Sequence, residues 1–255
     1  MAYCIETVGL TRDFGALRAV DHVDLRVERG CFYGFLGPNG AGKSTTIKML
    51  TGLLAPTSGS ATILGMDLEH NPLGIKQKLG VLPEDLCLFE NLTAREYLTF
   101  IGRMYGLQRD VIAGRCDELL DLMDLIENEK MLVLEFSHGM KKKLSLAAAL
   151  IHDPELLFLD EPFEGIDAIA SRTIRRVLDR LVQRESTIFL TSHILEIVEK
   201  LCTHVGIIHE GKLVTQGPLA DLAHGASLEQ AFIAAVGEPE ETPTGLSWLE
   251  GTGPR

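Results

Sequence analysis

A strand, a glycine-rich turn and a helix follow one another without interruption near the start of the chain. The run CFYGFL at 31–36 is short and continuously apolar, as in a strand that is buried on both faces. It leads directly into GPNGAGKS at 37–44 and then into TTIKMLTGLL. This order satisfies the Gly-x-x-x-x-Gly-Lys-Ser/Thr pattern in the strand–turn–helix setting that the pattern requires. The sequence therefore predicts a phosphate-binding loop rather than a chance glycine-rich turn.

Each residue type in this loop has a physical reason to be there. The glycines let successive backbone N–H groups turn inward as an anion cradle, and the start of the following helix adds a positive dipole end. Lys43 can then reach the outer phosphates, and the Ser44 hydroxyl can ligate Mg²⁺. The predicted ligand is ATP or GTP with magnesium.

Two later apolar runs also end in polar side chains. LLFL at 156–159 is followed by Asp160 and Glu161, and TIFL at 187–190 is followed by Thr191, Ser192 and His193. Ligands of open parallel sheets bind beyond the carboxyl ends of strands, so we expect the three strand ends to converge. Asp160 can hold Mg²⁺ through water while Glu161 orients the attacking water. The alternative is that both acids only cap the next helix.

The remaining patterns define the fold class. Alternation at Val20, Val23, Leu25 and Val27 predicts antiparallel strands, and spacing at Leu119, Leu122, Met123 and Ile126 predicts helices. We predict an α/β phosphate-loop NTPase core, a parallel sheet flanked by helices, with an N-terminal antiparallel β subdomain and a helical subdomain inserted at about 85–150. The ATPase domain spans 1–236. Residues 237–255, with four Gly and three Pro, are predicted to be a flexible tail.

The charge balance excludes some partners. A formal net charge of −12 argues against a protein that mainly holds nucleic acid, and against attachment through anionic lipid. Residues 85–135 hold 5 basic and 11 acidic residues, and residues 226–255 hold 1 and 5, so the rest of the chain is nearly neutral. We therefore expect a core that accepts ATP, with any membrane attachment made through a protein partner.

The cysteines and the N-terminus point to a reducing compartment. Five widely spaced cysteines without a CxxC pair disfavour a disulfide framework or a zinc site. The N-terminus shows no apolar signal core, and no run approaches the ~18 apolar residues of a membrane span.

A further motif separates a hydrolase from a kinase. Phe136-Ser137-His138-Gly139-Met140 precedes Asp160 and opens the apolar helix KKKLSLAAALI. In this position and order the chain resembles the ATP-binding subunits of ABC transporters, whose signature reads Leu-Ser-Gly-Gly-Gln. The resemblance covers about residues 3 to 235.

The resemblance implies a role for each matching position. Phe14 matches the aromatic residue that stacks on adenine, although a core role for Phe14 is an equal alternative. Glu84 stands at the Q-loop, Asp167 at the D-loop and His193 at the switch histidine. The implied catalytic residues are Glu161, His193 and Glu84, and the implied Mg²⁺ ligands are Ser44, Glu84 and Asp160. The implied nucleotide-binding residues are Phe14, Gly37, Pro38, Asn39, Gly40, Ala41, Gly42, Lys43, Ser44 and Thr45, and the implied contacts across a dimer are Ser137, His138, Gly139 and Asp167.

Several positions depart from the family pattern. Glu84 stands where the family has Gln, which keeps an oxygen for Mg²⁺ but adds a negative charge. Phe136, His138 and Met140 replace Leu, Gly and Gln of the signature, and Ala168 replaces the usual Pro. His138 can add a nucleotide contact or point to water, and we favour water. Ser137 also reads as a helix N-cap, which uses the same helix end as phosphate binding.

By resemblance, two copies, or one copy and a homologous subunit, bind head to tail around ATP. They drive a separate integral membrane permease from the cytoplasmic side of the cell membrane. Within the family, the chain most resembles the branch with ABC-2-type permeases, whose members are often exporters. Lys141–Lys143 would be tolerated at a helix start because a phosphate from a second subunit approaches them. The rival functions are a non-transport ABC ATPase acting on nucleic acid or ribosomes, and a small-molecule phosphotransferase.

Overall fold

An antiparallel sheet is built from the N-terminal part of the chain. The computed structural model describes residues 3–223 and 227–237. The strands of this sheet are β1 (Tyr3–Phe14), β2 (Leu17–Val23), β3 (Arg26–Glu28), β5 (Ser58–Ile63) and β6 (Met66–Asp67). Their order is β2-β1-β5-β6, and β3 also pairs with β1. The predicted antiparallel subdomain is therefore present.

A second, mostly parallel sheet carries the ends of the three apolar strands. Its strands are β4 (Phe32–Leu36), β7 (Leu79–Leu82), β8 (Leu156–Asp160), β9 (Thr187–Thr191), β10 (His204–His209) and β11 (Lys212–Pro218). The order is β11-β10-β4-β9-β8-β7, with β11 antiparallel to β10 and the other pairs parallel. Strands β4, β9 and β8 are direct neighbours, so the expected convergence of their carboxyl ends is confirmed.

Helices pack on this sheet directly or through another helix. They are α1 (Lys43–Leu50), α2 (Pro72–Lys76), α3 (Ala94–Met104), α4 (Arg109–Leu122), α5 (His138–Leu150), α6 (Ala168–Gln183), α7 (Leu195–Leu201), α8 (Leu219–Ala223) and α9 (Leu228–Val236), with 3₁₀ turns at Ile126–Asn128 and Val133–Glu135. Helices α3 and α4 pack on the sheet through α5. None of the helices in the described part of the chain is long and apolar enough to cross a membrane.

The helical region differs in detail from its prediction. The buried stripe of α4 is Ile112, Cys116 and Leu120, whereas Leu119 and Leu122 are only half-buried. Ile126 is 36% exposed because α4 has ended before it. The boundaries 1–236 and 85–150 stay predictions, and all of the tail beyond Gly237 lies outside the described residues.

The core lies on both faces of the parallel sheet. On one face, Phe189 packs against Tyr33, Phe35 and Phe158 with ring centroids 5.3–5.4 Å apart. The other face buries aliphatic side chains of the same strands against α5 and its neighbours. Burial of such a side chain contributes about 1.5–3 kcal/mol. The continuous apolar runs of β4, β8 and β9 are explained by this two-sided burial.

Helix α5, which the signature segment opens, lies unusually close to strand β7. A Cβ atom placed on Gly80 would lie 2.3 Å from the Ala149 carbonyl oxygen. Only glycine therefore allows the backbones of β7 and α5 to approach this closely.

We expect Gly80→Ala to lower the free energy of unfolding by about 1–3 kcal/mol, because the extra methyl group forces the helix away from the sheet. Urea denaturation monitored by circular dichroism measures this. Gly114→Ala on α4 is the matched control, since a Cβ there meets no atom within 4 Å. That change should be neutral or stabilising by up to ~1 kcal/mol. Equal effects of the two substitutions would contradict the close-packing explanation.

Candidate active site

The phosphate-binding loop packs tightly between the two sheets. A Cβ on Gly37 would lie 2.3 Å from the Ile208 carbonyl oxygen of β10, and one on Gly42 would lie 2.5 Å from the Ala19 carbonyl oxygen of β2. Gly42 also has a φ of +106°, which L side chains rarely adopt. The Gly211 amide donates to the Ala41 carbonyl at 3.0 Å. Neighbouring backbone atoms therefore leave room only for glycine at positions 37 and 42.

Lys43 points back over the loop. Its Nζ donates to the carbonyl oxygens of Gly37 at 2.7 Å and Pro38 at 3.1 Å. Burial lowers the pKa of this ammonium, and the carboxylates of Glu161, Asp160 and Glu84 partly oppose the shift. The loop thus presents a fixed positive charge where an anion would bind.

A group of oxygen donors lies beside Lys43. The Ser44 hydroxyl donates to Glu84 Oε2 at 3.3 Å, which joins the loop to the end of β7. Asp160 is 5% exposed, and its Oδ1 accepts a hydrogen bond from the Thr191 hydroxyl. Hydroxyl and carboxylate oxygens are hard donors, and Mg²⁺ in nucleotide sites takes one or two carboxylates besides phosphate oxygens. Ser44, Glu84 and Asp160 fit such an ion.

Glu161 follows Asp160 in a strained backbone conformation. Its φ of +49° is rare for a residue with a side chain and costs of order 1–3 kcal/mol. The Glu161 amide donates to the hydroxyl of Thr191 at 3.2 Å and to its carbonyl at 3.3 Å, which holds this conformation. Glu161 Oε2 lies 3.0 Å from His193 Nδ1. A carboxylate and an imidazole are therefore paired at the edge of the sheet.

The adenine platform expected at Phe14 lies at the mouth of the same cleft. Phe14 is 46% exposed, so it is not a core residue. The Arg12 guanidinium covers its ring at 4.6 Å from the centroid and donates to the Ala55 carbonyl at 2.8 Å. Leu17, which is 66% exposed, extends this apolar surface.

Most of the predicted nucleotide site lines one cleft of about 430 Å³. Its lining is Phe14, Leu17, Ala19, Asn39, Gly40, Gly42, Lys43, Ser44, Thr45, Glu84, Asp160 and Glu161. A smaller recess of about 250 Å³ adjoins it and is lined by Gly37, Pro38, Asn39, Ser192, His193, Leu195 and Phe232. Ala41 is buried beneath the loop.

The residues predicted to contact a second subunit line neither of these two cavities. The Ser137 hydroxyl caps α5 by accepting from the Met140 amide at 3.3 Å. Asp167 caps α6 by accepting from the amides of Ile169 at 3.0 Å and Ala170 at 2.8 Å. The bond from Ala170 contributes most to the lowered pKa of Asp167. His138 is exposed and lies over Gly165, and Gly139 faces the Gly165 carbonyl.

Arg12 and Leu17 are side chains of this site that the sequence patterns did not single out, whereas Thr191 is among the predicted polar strand ends but has no role assigned from the sequence. Thr191 had a signal, since it is a hydroxyl at the end of a buried strand and pairs with Asp160 in register. Arg12 and Leu17 flank Phe14 in the sequence, but nothing in their spacing marks them.

Together, the phosphate-binding loop between the two sheets, the adjacent acids Asp160 and Glu161 and the strand order define a phosphate-loop NTPase. The sequence profile of the family described as "ABC transporter" matches residues 20–164, which is more than half of the chain. The chain belongs to this family and is an ATP-binding subunit that hydrolyses ATP.

Three similar proteins illustrate the relationship. The chain is 44% identical over 223 residues to the bacitracin transport ATP-binding protein BcrA of Bacillus licheniformis, covering 87% of this chain and 72% of BcrA. It is 38% identical over 240 residues to the probable multidrug ABC transporter ATP-binding protein YbhF of Escherichia coli, covering 91% of this chain but only 41% of YbhF. A solved structure of the ATP-binding subunit of an ABC transporter superposes with a TM-score of 0.87 at 31% identity, covering 91% of this chain and 99% of that one.

We expect Thr191→Val to lower kcat for ATP hydrolysis at least about tenfold. It removes the hydroxyl that bonds both Asp160 and the Glu161 amide, and an unpaired buried acceptor costs about 1–3 kcal/mol. Thr187→Val is the matched control, because Thr187 lies buried at the opposite end of β9 and accepts from the Gly30 amide at 3.0 Å. Steady-state phosphate release should show a lower kcat only in Thr191→Val. A similar loss of kcat in both variants would mean that the substitutions act by destabilising β9.

Proposed function

We propose that this chain is the motor subunit of an exporter. Two subunits bind ATP between them in a head-to-tail dimer, and closure of the dimer drives a separate membrane permease. The ATP-driven part of this proposal rests on Lys43, Ser44, Glu84, Asp160 and Glu161, which line one cleft.

In the proposed mechanism, the loop amides and Lys43 bind the phosphates of ATP, and Phe14 stacks on the adenine. Glu161 accepts a proton from the attacking water as general base. Glu161 Oε2 lies 3.0 Å from His193 Nδ1. His193 is therefore beside the proposed base, where it contacts the terminal phosphate of ATP in the proposed mechanism.

Magnesium would be held by Ser44 and Glu84, with Asp160 acting through water. When bound, the ion neutralises charge on the phosphate oxygens. The Thr191 hydroxyl holds the Asp160 carboxylate in place. Glu84 accepts a hydrogen bond from Ser44 and so joins the proposed magnesium site to the segment that follows β7.

The proposed dimer follows from the placement of the signature segment. Ser137, His138, Gly139 and Asp167 lie outside the linings of the two cavities described above. Ser137 and the first amides of α5 form a helix start of the kind that binds phosphate. They complete the ATP site of a second subunit, and a second copy or a homologous subunit supplies the same groups in return.

Exposed apolar side chains cluster on the helical region. Phe89 is 55% exposed, and its ring packs edge-on against Phe100 at 5.2 Å, with Met104, at 70% exposed, on the same helix as Phe100. Exposed clustered apolar side chains are typical of a protein interface. We propose that an integral membrane permease binds here and that the chain acts on the cytoplasmic side of the cell membrane.

The direction of transport is inferred from relatives. BcrA is named for bacitracin transport and YbhF as a probable multidrug transporter subunit, so we propose export. These names do not favour the alternative of an ATPase that acts on nucleic acid, and neither does the net charge of −12.

We expect Glu161→Gln to abolish turnover while retaining ATP, because the amide keeps the shape of the site but cannot accept the proton. Size-exclusion chromatography with ATP should show an accumulated dimer. Lys43→Ala should instead lose nucleotide binding, measured with a fluorescent ATP analogue. Hydrolysis by Glu161→Gln at the wild-type rate would refute the assignment of the base.

We expect the double substitution Phe100→Asp and Met104→Asp to abolish binding to a co-expressed ABC-2-type permease and to leave the ATPase activity of the isolated subunit unchanged. Co-purification from detergent-solubilised membranes measures the binding. Val214→Asp, at a 47% exposed position on β11, is the control and should bind normally. Retained binding by the double variant would place the interface elsewhere.

A further inference from the structure

The three lysines near the start of α5 all have partners within their own subunit. Lys141 Nζ lies 2.5 Å from Glu90 Oε1, and Lys143 Nζ lies 3.8 Å from Asp167 Oδ2. Lys142 turns inward, and its Nζ donates to the Glu164 carbonyl oxygen at 2.9 Å. The expectation that this cluster awaits a phosphate from a second subunit is therefore wrong for Lys142.

Lys142 is a buried charge. Its side chain is only 3% exposed, and the Glu164 carboxylate is 3.9 Å away. Burial lowers the pKa of the ammonium, and the carboxylates of Glu164, Glu161, Asp160 and Glu84 oppose the shift. Burying an ammonium is costly unless it is paired and hydrogen-bonded. The two contacts with Glu164 supply this pairing for Lys142.

The loop that Lys142 contacts runs from the proposed base to the proposed dimer contact. It begins at Glu161, whose backbone is strained, and ends at Asp167, which caps α6. The first turn of α5 packs against its middle, since a Cβ on Gly139 would lie 3.0 Å from the Gly165 carbonyl oxygen. Lys142 therefore adds a charge-assisted hydrogen bond to an existing backbone contact between this loop and the signature helix.

We propose that Lys142 is a positioning residue that fastens residues 161–167 to the signature helix, so that Glu161 and Asp167 keep a fixed relation to Ser137. This inference rests on the roles of Glu161, Asp167 and Ser137 proposed above. The Lys142 side chain is only 3% exposed and its Nζ donates to the Glu164 carbonyl, so it acts through that carbonyl.

The test compares three substitutions at Lys142 by steady-state kinetics, normalised to ATP-binding protein. Lys142→Met keeps the buried stem but loses the bond, and we expect kcat to fall at least about tenfold with KM for ATP changed less than about twofold. Lys142→Arg keeps a charged donor and should restore kcat to within about threefold. Lys142→Gln carries an uncharged, shorter side chain, and its kcat should fall as much as that of Lys142→Met. It serves as the second uncharged variant if Lys142→Met does not fold.

Lys78→Met is the matched control, because Lys78 also pairs within its own subunit, with Glu155 at 2.6 Å, and Glu155 precedes β8 at the end opposite Asp160. It should retain the wild-type kcat. A wild-type kcat in both uncharged Lys142 variants, a rise in KM that accounts for their loss, or an equal loss in Lys142→Arg would each overturn the inference.

The proposed function fails separately. It fails if the wild-type protein does not hydrolyse ATP or if Glu161→Gln retains turnover. If both behave as expected and Lys142→Met also turns over normally, only the role of Lys142 is refuted.

Discussion

The close packing of the phosphate-binding loop between the two sheets is the constraint on which the rest of the site depends. Gly37 is pressed against the Ile208 carbonyl of the parallel sheet and Gly42 against the Ala19 carbonyl of the antiparallel sheet. Because backbone meets backbone at both places, the loop has little freedom to shift. Its fixed position sets the start of α1, and with it the directions of Lys43 and Ser44. The antiparallel sheet is therefore part of the phosphate site, although Phe14 and its neighbours reach only the mouth of the cleft.

The strand order supplies the chemistry that faces this loop. Strand β9 lies between β4 and β8, so Thr191 is in register with Asp160 and holds it from the side. The same threonine bonds the Glu161 amide and stabilises a left-handed backbone that would otherwise be unfavourable. One hydroxyl thus orients both the proposed magnesium ligand and the proposed base, which explains why a polar side chain is buried at a strand end.

Much of this arrangement could be predicted from the sequence because it is local. The loop at 37–44, the acids after β8 and the cap at Ser137 are each defined by adjacent residues whose backbone geometry is restricted. What could not be predicted depends on distant partners. Arg12 is anchored by the carbonyl of Ala55, 43 residues away, and Lys142 by that of Glu164, 22 residues away. From the sequence alone, a run of lysines predicts a solvated helix surface, because nothing in it shows that residues 161–167 pack against Lys142.

Lys43 also explains how an acidic chain can accept ATP. Glu84, Asp160 and Glu161 place three carboxylates in the lining of the cleft, and the Lys43 ammonium in the same lining carries the opposite charge. Interactions beyond the Debye length of ~8 Å are screened, so these nearby groups outweigh the net charge of −12 carried mostly by the helical region and the C-terminal residues. The carboxylates leave a local negative excess, which suits a site that receives ATP together with a divalent cation. Removing Lys43 would leave acids that repel the triphosphate, and this is why its buried ammonium can be retained despite the desolvation cost. Lys142 is bonded to the Glu164 carbonyl instead, so its role is to hold residues 161–167 and not to bind the nucleotide.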